Sequence, residues 1–279
     1  MTQKVALITG GTSGIGLAVT KALAERGDWS IHVLGQNEAR GAEAEKLPRT
    51  TFHRANVTVY DELAAVFHKV FSETGRLDYV FANAGIFERT PFYEPHSDAT
   101  NGPPRLDLTA LDSNLTGVVM TGYLAQHYFR ISPHRGQGAS ILLNSSTGGI
   151  YPAYNLPIYS ATKHGIIGFM RAISKQFYSN GIRANAICPG IVRTNLVADA
   201  IWDSFPTHLL IPMEDVLNVI LMLLDGEQKN SEIVDGSGTR VSASQLYGRT
   251  VEVSNSHFYF REQPEYSDEG MKELMTFEG

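Results

Sequence analysis

The sequence predicts an α/β protein built on a doubly wound, mostly parallel sheet in a single domain. Strand-like apolar runs alternate with helix-like segments along the first half of the chain, and this alternation is typical of parallel sheets. The strand-like runs are almost continuously apolar, which indicates helices on both faces of the sheet. The 279 residues are 43% hydrophobic and 19% charged, which is ordinary for a globular protein. Composition therefore excludes a disordered, collagen-like or coiled-coil chain.

The predicted elements follow one another in a regular order. Lys4–Thr9 is the first strand, and it ends at a cluster of glycines. A helix follows because apolar residues recur at helical spacing from Ile15 to Leu23, and Gly27 ends it. The later elements are a strand at Ile31–Leu34, a helix through Leu63–Phe71, strands at Tyr79–Ala82, Ser140–Asn144 and Arg183–Ile187, a helix over about Tyr159–Tyr178, and a strand at Thr250–Val253.

Three segments interrupt this order. Phe87–Leu108 contains adjacent prolines and is too long for an ordinary connection, and long loops of this kind are usually functional or disordered. Ile191–Pro212 is mostly apolar and contains two large aromatic residues. The tail Asn255–Gly279 combines aromatic residues with many acids, and we predict no regular structure for it.

Charge and cysteine content exclude several kinds of partner and site. The formal net charge of −6 argues against nucleic acid or an anionic membrane as the main partner. No apolar run is predicted to be long enough to span a bilayer. The single cysteine, Cys188, cannot form an intrachain disulfide. The nine histidines are scattered, so we predict no catalytic metal. Because Val5–Ile8 already reads as a strand, no signal peptide is expected, and we predict a cytoplasmic protein.

The glycine cluster after the first strand predicts a nucleotide-binding turn. In Thr9–Gly16 the glycines at 10, 14 and 16 permit a tight turn, a close approach of the backbone to a pyrophosphate, and close packing of helix on sheet. The helix that follows then presents its N–H groups and the positive end of its dipole to the anion. The residues we expect to contact the cofactor here are Gly10, Thr12, Ser13, Gly14, Ile15 and Gly16.

Three residues separate Gly10 from Gly14, and this spacing resembles the Thr-Gly-x-x-x-Gly-Ile-Gly turn of the short-chain dehydrogenase/reductase family. Further segments match the family in order: Asn83-Ala84-Gly85, Asn114, Ser146, Tyr159 with Lys163, and Pro189-Gly190 with Val192 and Thr194 beyond. The resemblance covers about residues 3 to 255. It implies a Rossmann sheet of about seven strands, a nicotinamide cofactor held by these segments, and a homodimer or homotetramer. His257–Glu262 is similar to the tails of fungal dehydrogenases related to hydroxyprostaglandin dehydrogenase.

Tyr159 and Lys163 lie four residues apart on one predicted helix and therefore share a face. A nearby ammonium and a positive nicotinamide ring favour the phenolate, which suits Tyr159 to acid–base catalysis. Ser146 lies at the carboxyl end of its strand, where its hydroxyl can bind the substrate oxygen. Ser145 is the alternative candidate for this role. The resemblance implies that Lys163 also holds the nicotinamide ribose, and that Asn114 positions a water that links Lys163 to solvent.

The choice between NAD and NADP depends on the residue that ends the second strand. An acid there binds the ribose 2′-hydroxyl and repels a 2′-phosphate. Here Gly35 stands at that position and Gln36 follows, so the acid is absent, and so is the arginine that often follows this position in relatives that prefer NADP. Asn56-Val57 stands where many members of the family carry Asp-Val beside the adenine. The sequence therefore allows either NAD or NADP. The similarity of the tail to dehydrogenases related to hydroxyprostaglandin dehydrogenase slightly favours NAD.

The segments around the catalytic residues predict a lipophilic small-molecule substrate. Pocket walls for apolar ligands are expected from two segments. The first, between Ser146 and Tyr159, contains Tyr151, Pro152, Tyr154 and Leu156. The second is 191–212, which the resemblance identifies as a substrate lid and which contains Ile191, Val192, Leu196, Ile201, Trp202, Phe205 and Leu209. We therefore predict interconversion of a secondary alcohol and a ketone on a bulky apolar substrate of steroid, terpenoid or polyketide type. The alternative is a non-redox protein on the same fold, either a nucleotide sensor or an enzyme with a repurposed pocket. A scaffold protein is the third hypothesis.

Overall fold

A computed structural model of the chain describes residues 3–96, 102–197, 202, 205–226 and 232–277. The strands are β1 (Lys4–Thr9), β2 (Trp29–Gly35), β3 (Thr50–Arg54), β4 (Tyr79–Ala82), β5 (Ser140–Asn144), β6 (Arg183–Pro189), β7 (Glu232–Val234), β8 (Arg240–Ser242), β9 (Thr250–Ser254) and β10 (His257–Phe260). Eight of them form one sheet in the order β3-β2-β1-β4-β5-β6-β9-β10, and β7 pairs with β8. Every pairing in the large sheet is parallel except that of β9 with β10. The predicted doubly wound, mostly parallel fold is therefore confirmed.

Helices cover both faces of this sheet. They are α1 (Gly14–Arg26), α2 (Glu38–Ala44), α3 (Tyr60–Thr74), α4 (Thr109–Leu111), α5 (Gly117–Ile131), α6 (Pro157–Tyr178), α7 (Met213–Asp225) and α8 (Glu269–Thr276). A π-helical turn, Asp112–Thr116, joins α4 to α5. Such turns are rare and frequently occur at functional sites.

Strand β4 shows why its sequence is continuously apolar. Tyr79 and Phe81 point into the core beneath α1 and α7, whereas Val80 and Ala82 point into the core beneath α3, α5 and α6. Successive side chains of a strand face opposite sides of the sheet, so a strand covered on both faces needs apolar residues at every position. All four residues are buried.

The sequence prediction located six strands of the large sheet and missed two, and the sheet has eight strands where the resemblance implies about seven. Strand β3 is mostly polar because it lies at the edge of the sheet. Strand β10 lies in the tail for which we predicted no regular structure. It folds back on β9 through Asn255 and Ser256, whose φ angles are 47° and 60°. Left-handed backbone at both central residues is what a two-residue hairpin turn requires.

The tail is joined to the sheet by a buried charge. Glu252 on β9 is only 5% exposed, and its Oε2 atom accepts hydrogen bonds from the Tyr151 hydroxyl at 3.1 Å and from Arg261 Nε at 2.5 Å. Arg261 follows β10 directly. Because an unpaired buried carboxylate is strongly destabilising, the arginine after β10 is needed to stabilise the carboxylate on β9.

One segment differs from the prediction that no apolar run reaches the length of a membrane span. By length and composition alone, the 19-residue segment Thr207–Asp225 is apolar enough, because it contains an 18-residue window with a mean hydropathy of 1.6. In the fold, α7 places Val216, Ile220 and Leu223 in the core beside α1 and the sheet. Packing against the sheet therefore accounts for its apolar side chains.

A buried histidine pair joins β2 to β3. His32 Nδ1 lies 3.0 Å from His53 Nε2, and the two rings stack with their centroids 5.2 Å apart. Burial lowers the pKa of both side chains, that of His32 to about 4, and the charges of the partner and of Lys69 act in the same direction on His32. The folded protein therefore favours neutral rings.

We expect the pair to make stability depend on pH. Because the folded state binds fewer protons than the unfolded chain, the stabilisation is complete above the ordinary histidine pKa and decreases as pH falls from 6.5 toward 4. The His32 shift corresponds to about 3 kcal/mol. Urea unfolding at pH 7.5 and 5.0 measures this loss, which His32→Phe should reduce. The control His68→Asn, at an exposed position, should keep it, and an equal loss in all three proteins would contradict the assignment.

Candidate active site

The glycine turn after β1 has a backbone that residues with a side chain rarely adopt. Gly10 and Gly14 have φ angles of 66° and 52°, in the left-handed region. A Cβ atom on Gly16 would lie 2.4 Å from the carbonyl oxygen of Gly10 and 2.6 Å from Asn83 Nδ2. The Ser13 side chain makes no capping bond to α1, which leaves the first-turn N–H groups without that partner. The turn therefore fits the pyrophosphate of a dinucleotide.

Asn83, directly after β4, holds this turn against the neighbouring strands. Its Nδ2 atom donates to the carbonyl oxygens of Thr9 at 3.1 Å and Gly10 at 3.3 Å. Its Oδ1 atom accepts a 2.9 Å hydrogen bond from Asn144 Nδ2 at the end of β5. One amide thus joins the carboxyl ends of β1, β4 and β5, the edge at which open α/β sheets bind ligands.

Three predicted catalytic residues meet at this edge. The Tyr159 ring lies beside the Ser146 side chain: a Cβ atom on Gly148 would lie 3.4 Å from Tyr159 Cε1 and 3.6 Å from Ser146 Oγ. Lys163 lies one helical turn further along α6, with Nζ 5.4 Å from the centroid of the Tyr159 ring. Nζ donates a 2.7 Å hydrogen bond to the carbonyl oxygen of Asn144. Ser145, the rival of Ser146, instead donates to the backbone oxygen of Lys163 at 2.8 Å, so its hydroxyl supports the helix.

Burial controls the protonation of the catalytic pair. It raises the pKa of Tyr159, and the neighbouring Ser146 hydroxyl acts in the opposite direction. Desolvation lowers the pKa of Lys163 to about 8. Lys163 was expected to lower the pKa of the phenol, but burial has the larger effect on Tyr159 in this structure and raises its pKa. A protonated phenol beside Ser146 is the form that can donate a proton to a carbonyl oxygen.

Asn114 lies in the π-helical turn, fully buried behind Gly85. Its side chain pairs with Ile86 in both directions, accepting from the N–H and donating to the carbonyl oxygen at 2.8 Å each. Its Nδ2 atom also lies 3.2 Å from Thr162 Oγ1. The amide therefore joins the loop after β4 to the catalytic helix. The water that the family resemblance implies at Asn114 stays a prediction.

A cavity of about 540 Å³ extends from the glycine turn to the catalytic residues. Many predicted site residues line it: Gly10, Ser13, Gly14, Ile15, Asn83, Ala84, Gly85, Ser146, Tyr159, Lys163, Pro189, Gly190, Val192 and Thr194. The cavity wall does not include Thr12, Gly16, Gly35, Gln36, Asn56, Val57 or Asn114. Several of these form the layer behind the glycine turn or the rim at the end of β2.

Gly35 ends β2, as the sequence predicts, and faces the glycine turn. A Cβ atom there would lie 3.2 Å from Thr12 Oγ1. Gln36 Nε2 lies 3.4 Å from Asn56 Oδ1, which also accepts the Thr58 N–H at 3.1 Å. These uncharged groups form the rim at the end of β2.

Sequence reasoning missed Arg40, which lines the cavity from the first turn of α2. Asn37 caps this helix by accepting the Arg40 N–H at 2.9 Å. The sequence did contain a signal for Arg40. Asn37 is a favoured N-cap residue, and a helix that begins after it has Arg40 in its first turn, shortly after the end of β2. Phe87 was also missed as a lining residue, although the long segment that it begins was singled out.

The apolar segment after β6 covers the other side of the cavity. Its two ends are joined, because the Ile211 N–H donates to the Ile191 carbonyl oxygen at 2.7 Å. Trp202 is buried and donates from Nε1 to the Thr194 carbonyl oxygen at 3.2 Å. A Cβ atom on Gly14 would lie 3.3 Å from Thr194, so this segment begins directly over the glycine turn.

Other nucleophilic and metal-binding groups contribute little here. Burial raises the pKa of the Cys188 thiol to about 12, which keeps it in the unreactive thiol form. Within the described ranges, no group of three His, Cys, Asp or Glu side chains is placed to hold a metal ion.

The fold and the cavity at the ends of its strands are those of a nucleotide-dependent oxidoreductase, and Ser146, Tyr159 and Lys163 lie together in the cavity wall. The family model described as short chain dehydrogenase matches residues 4–203. The short-chain dehydrogenase/reductase prx7 of Penicillium rubens is 53% identical over 94% of this chain and 95% of its own length. Human 15-hydroxyprostaglandin dehydrogenase, whose name specifies NAD(+), is 34% identical over 70% of each chain.

Among solved structures, the 3-ketoacyl-(acyl-carrier-protein) reductase from Brucella melitensis, complexed with NADH, aligns with a TM-score of 0.72. It is 24% identical and covers 90% of this chain and 97% of its own, so this likeness concerns the fold. The protein belongs to the short-chain dehydrogenase/reductase family, and it is an NAD(P)-dependent oxidoreductase.

Gly16 provides a direct test of the nucleotide site. We expect Gly16→Ala to weaken binding of NADH and NADPH by about tenfold or more, equivalent to about 1.4 kcal/mol, because its Cβ would displace the turn. Calorimetric titration measures the affinity, and circular dichroism checks folding. Gly270→Ala in α8 is the control, because its Cβ would approach only the end of the Asp268 side chain. Equal affinities in both variants would contradict the assigned site.

Proposed function

We propose that this enzyme interconverts a secondary alcohol and a ketone on a bulky apolar substrate, with Tyr159 as the acid and base. The observation that carries this proposal is the position of the Tyr159 hydroxyl. It lies beside Ser146 in a cavity that joins the glycine turn to an apolar wall. A substrate carbonyl placed there meets two hydroxyl groups, one of which can give up its proton.

The glycine turn, with its left-handed residues and uncapped first helical turn, fits a nicotinamide dinucleotide. When bound, the cofactor supplies or accepts the hydride. In reduction, Ser146 and Tyr159 bind the carbonyl oxygen, and Tyr159 donates its proton as negative charge develops there. In oxidation the phenolate accepts the hydroxyl proton. Lys163, held by the Asn144 carbonyl oxygen, orients the ribose and stabilises the phenolate.

The cavity wall supports an apolar substrate. Its apolar lining residues are Ile86, Phe87, Ala153, Leu156, Ile191, Val192, Leu196, Val197, Trp202 and Phe205. They come from the loop after β4, the segment before α6 and the segment proposed as the lid. Tyr151, Pro152, Tyr154 and Leu209 were expected in this wall but do not line it. Ile201, also expected there, lies outside the described residues. Steroids, terpenoids and polyketides have the size and polarity that such a wall accepts.

Both nicotinamide cofactors are compatible with the end of β2. No acid occupies position 35, and Arg40 adds a positive side chain to the cavity wall. An arginine near the ribose accommodates a 2′-phosphate, and the acid that would repel this phosphate is absent from the end of β2. We propose that the enzyme binds NAD and NADP. The slight preference for NAD stays a prediction, and so does the cytoplasmic location.

We also propose a homodimer or homotetramer that associates through α5 and α6. Exposed apolar side chains on these helices support this arrangement: Val119, Tyr123 and Ile131 on α5, and Tyr178 on α6. Exposed apolar area of this kind favours contact between subunits. We propose that 191–212 acts as the substrate lid of each subunit.

Tyr159→Phe tests the redox mechanism against the non-redox alternative. A single acid–base group contributes about 10²–10⁴-fold, so we expect a loss of at least that size in turnover. Absorbance at 340 nm with a panel of lipophilic alcohols and ketones measures turnover, and cofactor affinity should stay close to that of the wild type. Tyr154→Phe is the control, because Tyr154 is 78% exposed and lies outside the cavity wall. Near-normal activity of Tyr159→Phe would exclude the mechanism.

Gly35→Asp tests the assignment of the cofactor ribose. The new carboxylate would bind the 2′-hydroxyl of NAD and repel the 2′-phosphate of NADP. A hydrogen bond to a charged group contributes about 1.5–3 kcal/mol, so the ratio of NAD to NADP affinity should increase about tenfold or more. Calorimetric titration with both cofactors measures the ratio. If the ratio is unchanged, the ribose does not lie beside position 35.

A further inference from the structure

The loop after β4 makes an unexpected contact with the catalytic helix. Glu88 Oε2 accepts a 2.7 Å hydrogen bond from the backbone N–H of Tyr159, 71 residues further along the chain. The neighbouring residue Phe87 places its ring 4.6 Å, centroid to centroid, from the Tyr159 ring. Two consecutive residues of one loop thus hold the backbone and the side chain of Tyr159.

Helix α6 depends on this contact because its own sequence provides no cap. Leu156 stands at the N-cap and makes no side-chain bond, and Pro157 has no N–H to be satisfied. No acidic residue lies in the first turn of α6. Glu88 therefore supplies both the hydrogen-bond acceptor and the negative charge that favour a helix N-terminus.

The base of the loop is itself fixed. Ile86 is held by the Asn114 side chain through two hydrogen bonds of 2.8 Å. Glu88 thus reaches Tyr159 from a rigid position. A carboxylate so placed fixes the depth of Tyr159 in the cavity relative to Ser146.

The second carboxylate oxygen of Glu88 has a different environment from the first. Oε1 is buried and has no hydrogen-bond partner among the residues that the structure describes. A buried carboxylate oxygen without a donor keeps its negative charge poorly screened. Lys163 on the same helix and Cys188 on β6 lie near the Tyr159 side chain, and Glu88 on the loop lies at the Tyr159 backbone N–H.

We propose that Glu88 is a positioning residue for Tyr159. It docks the loop after β4 on the first turn of α6, holds the phenol against Ser146, and places a fixed negative charge that opposes formation of the phenolate. The inference rests on the proposed function, because it assigns Glu88 a role in setting the proton affinity of the acid–base group.

Two variants separate the charge of Glu88 from its hydrogen bond. Glu88→Gln keeps an oxygen that can accept the Tyr159 N–H but removes the charge. Glu88→Ala removes both. Glu94→Gln, at an exposed position of the same loop, is the control for the loss of one negative charge.

The first measurement needs no substrate. Protein labelled with ¹³C at the tyrosine ζ carbons is titrated by NMR, and Tyr159→Phe identifies the Tyr159 signal. We expect Tyr159 to titrate at lower pH in Glu88→Gln and Glu88→Ala than in the wild type, because removing a nearby negative charge favours the phenolate. Glu94→Gln should titrate as the wild type does.

The second measurement is turnover with the best alcohol or ketone of the panel. We expect Glu88→Ala to lower kcat about tenfold, the effect of about 1.4 kcal/mol of lost positioning. Glu88→Gln should recover most of kcat, and its pH–rate profile should move to lower pH. The KM for the cofactor should change little, since Glu88 does not line the cavity.

The inference is overturned if both Glu88 variants lower the melting temperature but leave the Tyr159 titration at the wild-type pH. Glu88 would then be a helix cap only. Failure of the proposed function is distinguishable, because it would appear as full activity in Tyr159→Phe. The NMR titration would still report whether Glu88 acts on the phenol.

Discussion

The site depends on one partly buried amide, that of Asn83, which joins three adjacent strands at their carboxyl ends. Through this side chain the glycine turn of β1 is fixed relative to β5, the strand that leads to Ser146. A turn with left-handed glycines is intrinsically flexible, because glycine loses more conformational entropy on folding than any other residue. The hydrogen bonds of the Asn83 side chain to other strands therefore hold in place a turn that is not stiff by itself. The position of the glycine turn relative to the end of β5, and hence to Ser146, is therefore fixed.

The same region concentrates polar groups that a stable core would avoid. Lys163 is 4% exposed, and the hydrogen bond to Asn144 provides only part of what water would give an ammonium. Asn144 Oδ1 is buried without a partner within the described part of the chain. Such departures from polar satisfaction are expected where function rather than stability selects the residue. The two hydrophobic cores on either side of the sheet offset this cost.

The sequence was sufficient for features that depend on local spacing. The glycine turn and the four-residue separation of Tyr159 from Lys163 each lie within one short segment, so period and turn chemistry predict them. The polar edge strand Thr50–Arg54 and the hairpin strand His257–Phe260 were not predictable in this way, because their pairing partners define them. Contacts between distant segments were also missed. Nothing in the composition of the loop after β4 indicates that an acid in it caps a helix beginning at residue 157.

The buried Glu252 carboxylate has a consequence for how the chain is made. Synthesis is directional, and domains generally fold as their residues emerge. Strand β9 carries Glu252, but Arg261, which neutralises it, emerges nine residues later, after the β10 hairpin has been completed. Until then, closing β9 onto β6 would bury a carboxylate without its cation. The parallel half of the sheet can assemble early, whereas its last edge must wait for the tail. The ion pair between Glu252 and Arg261 thus favours an order of folding in which β9 and β10 are added to the sheet last.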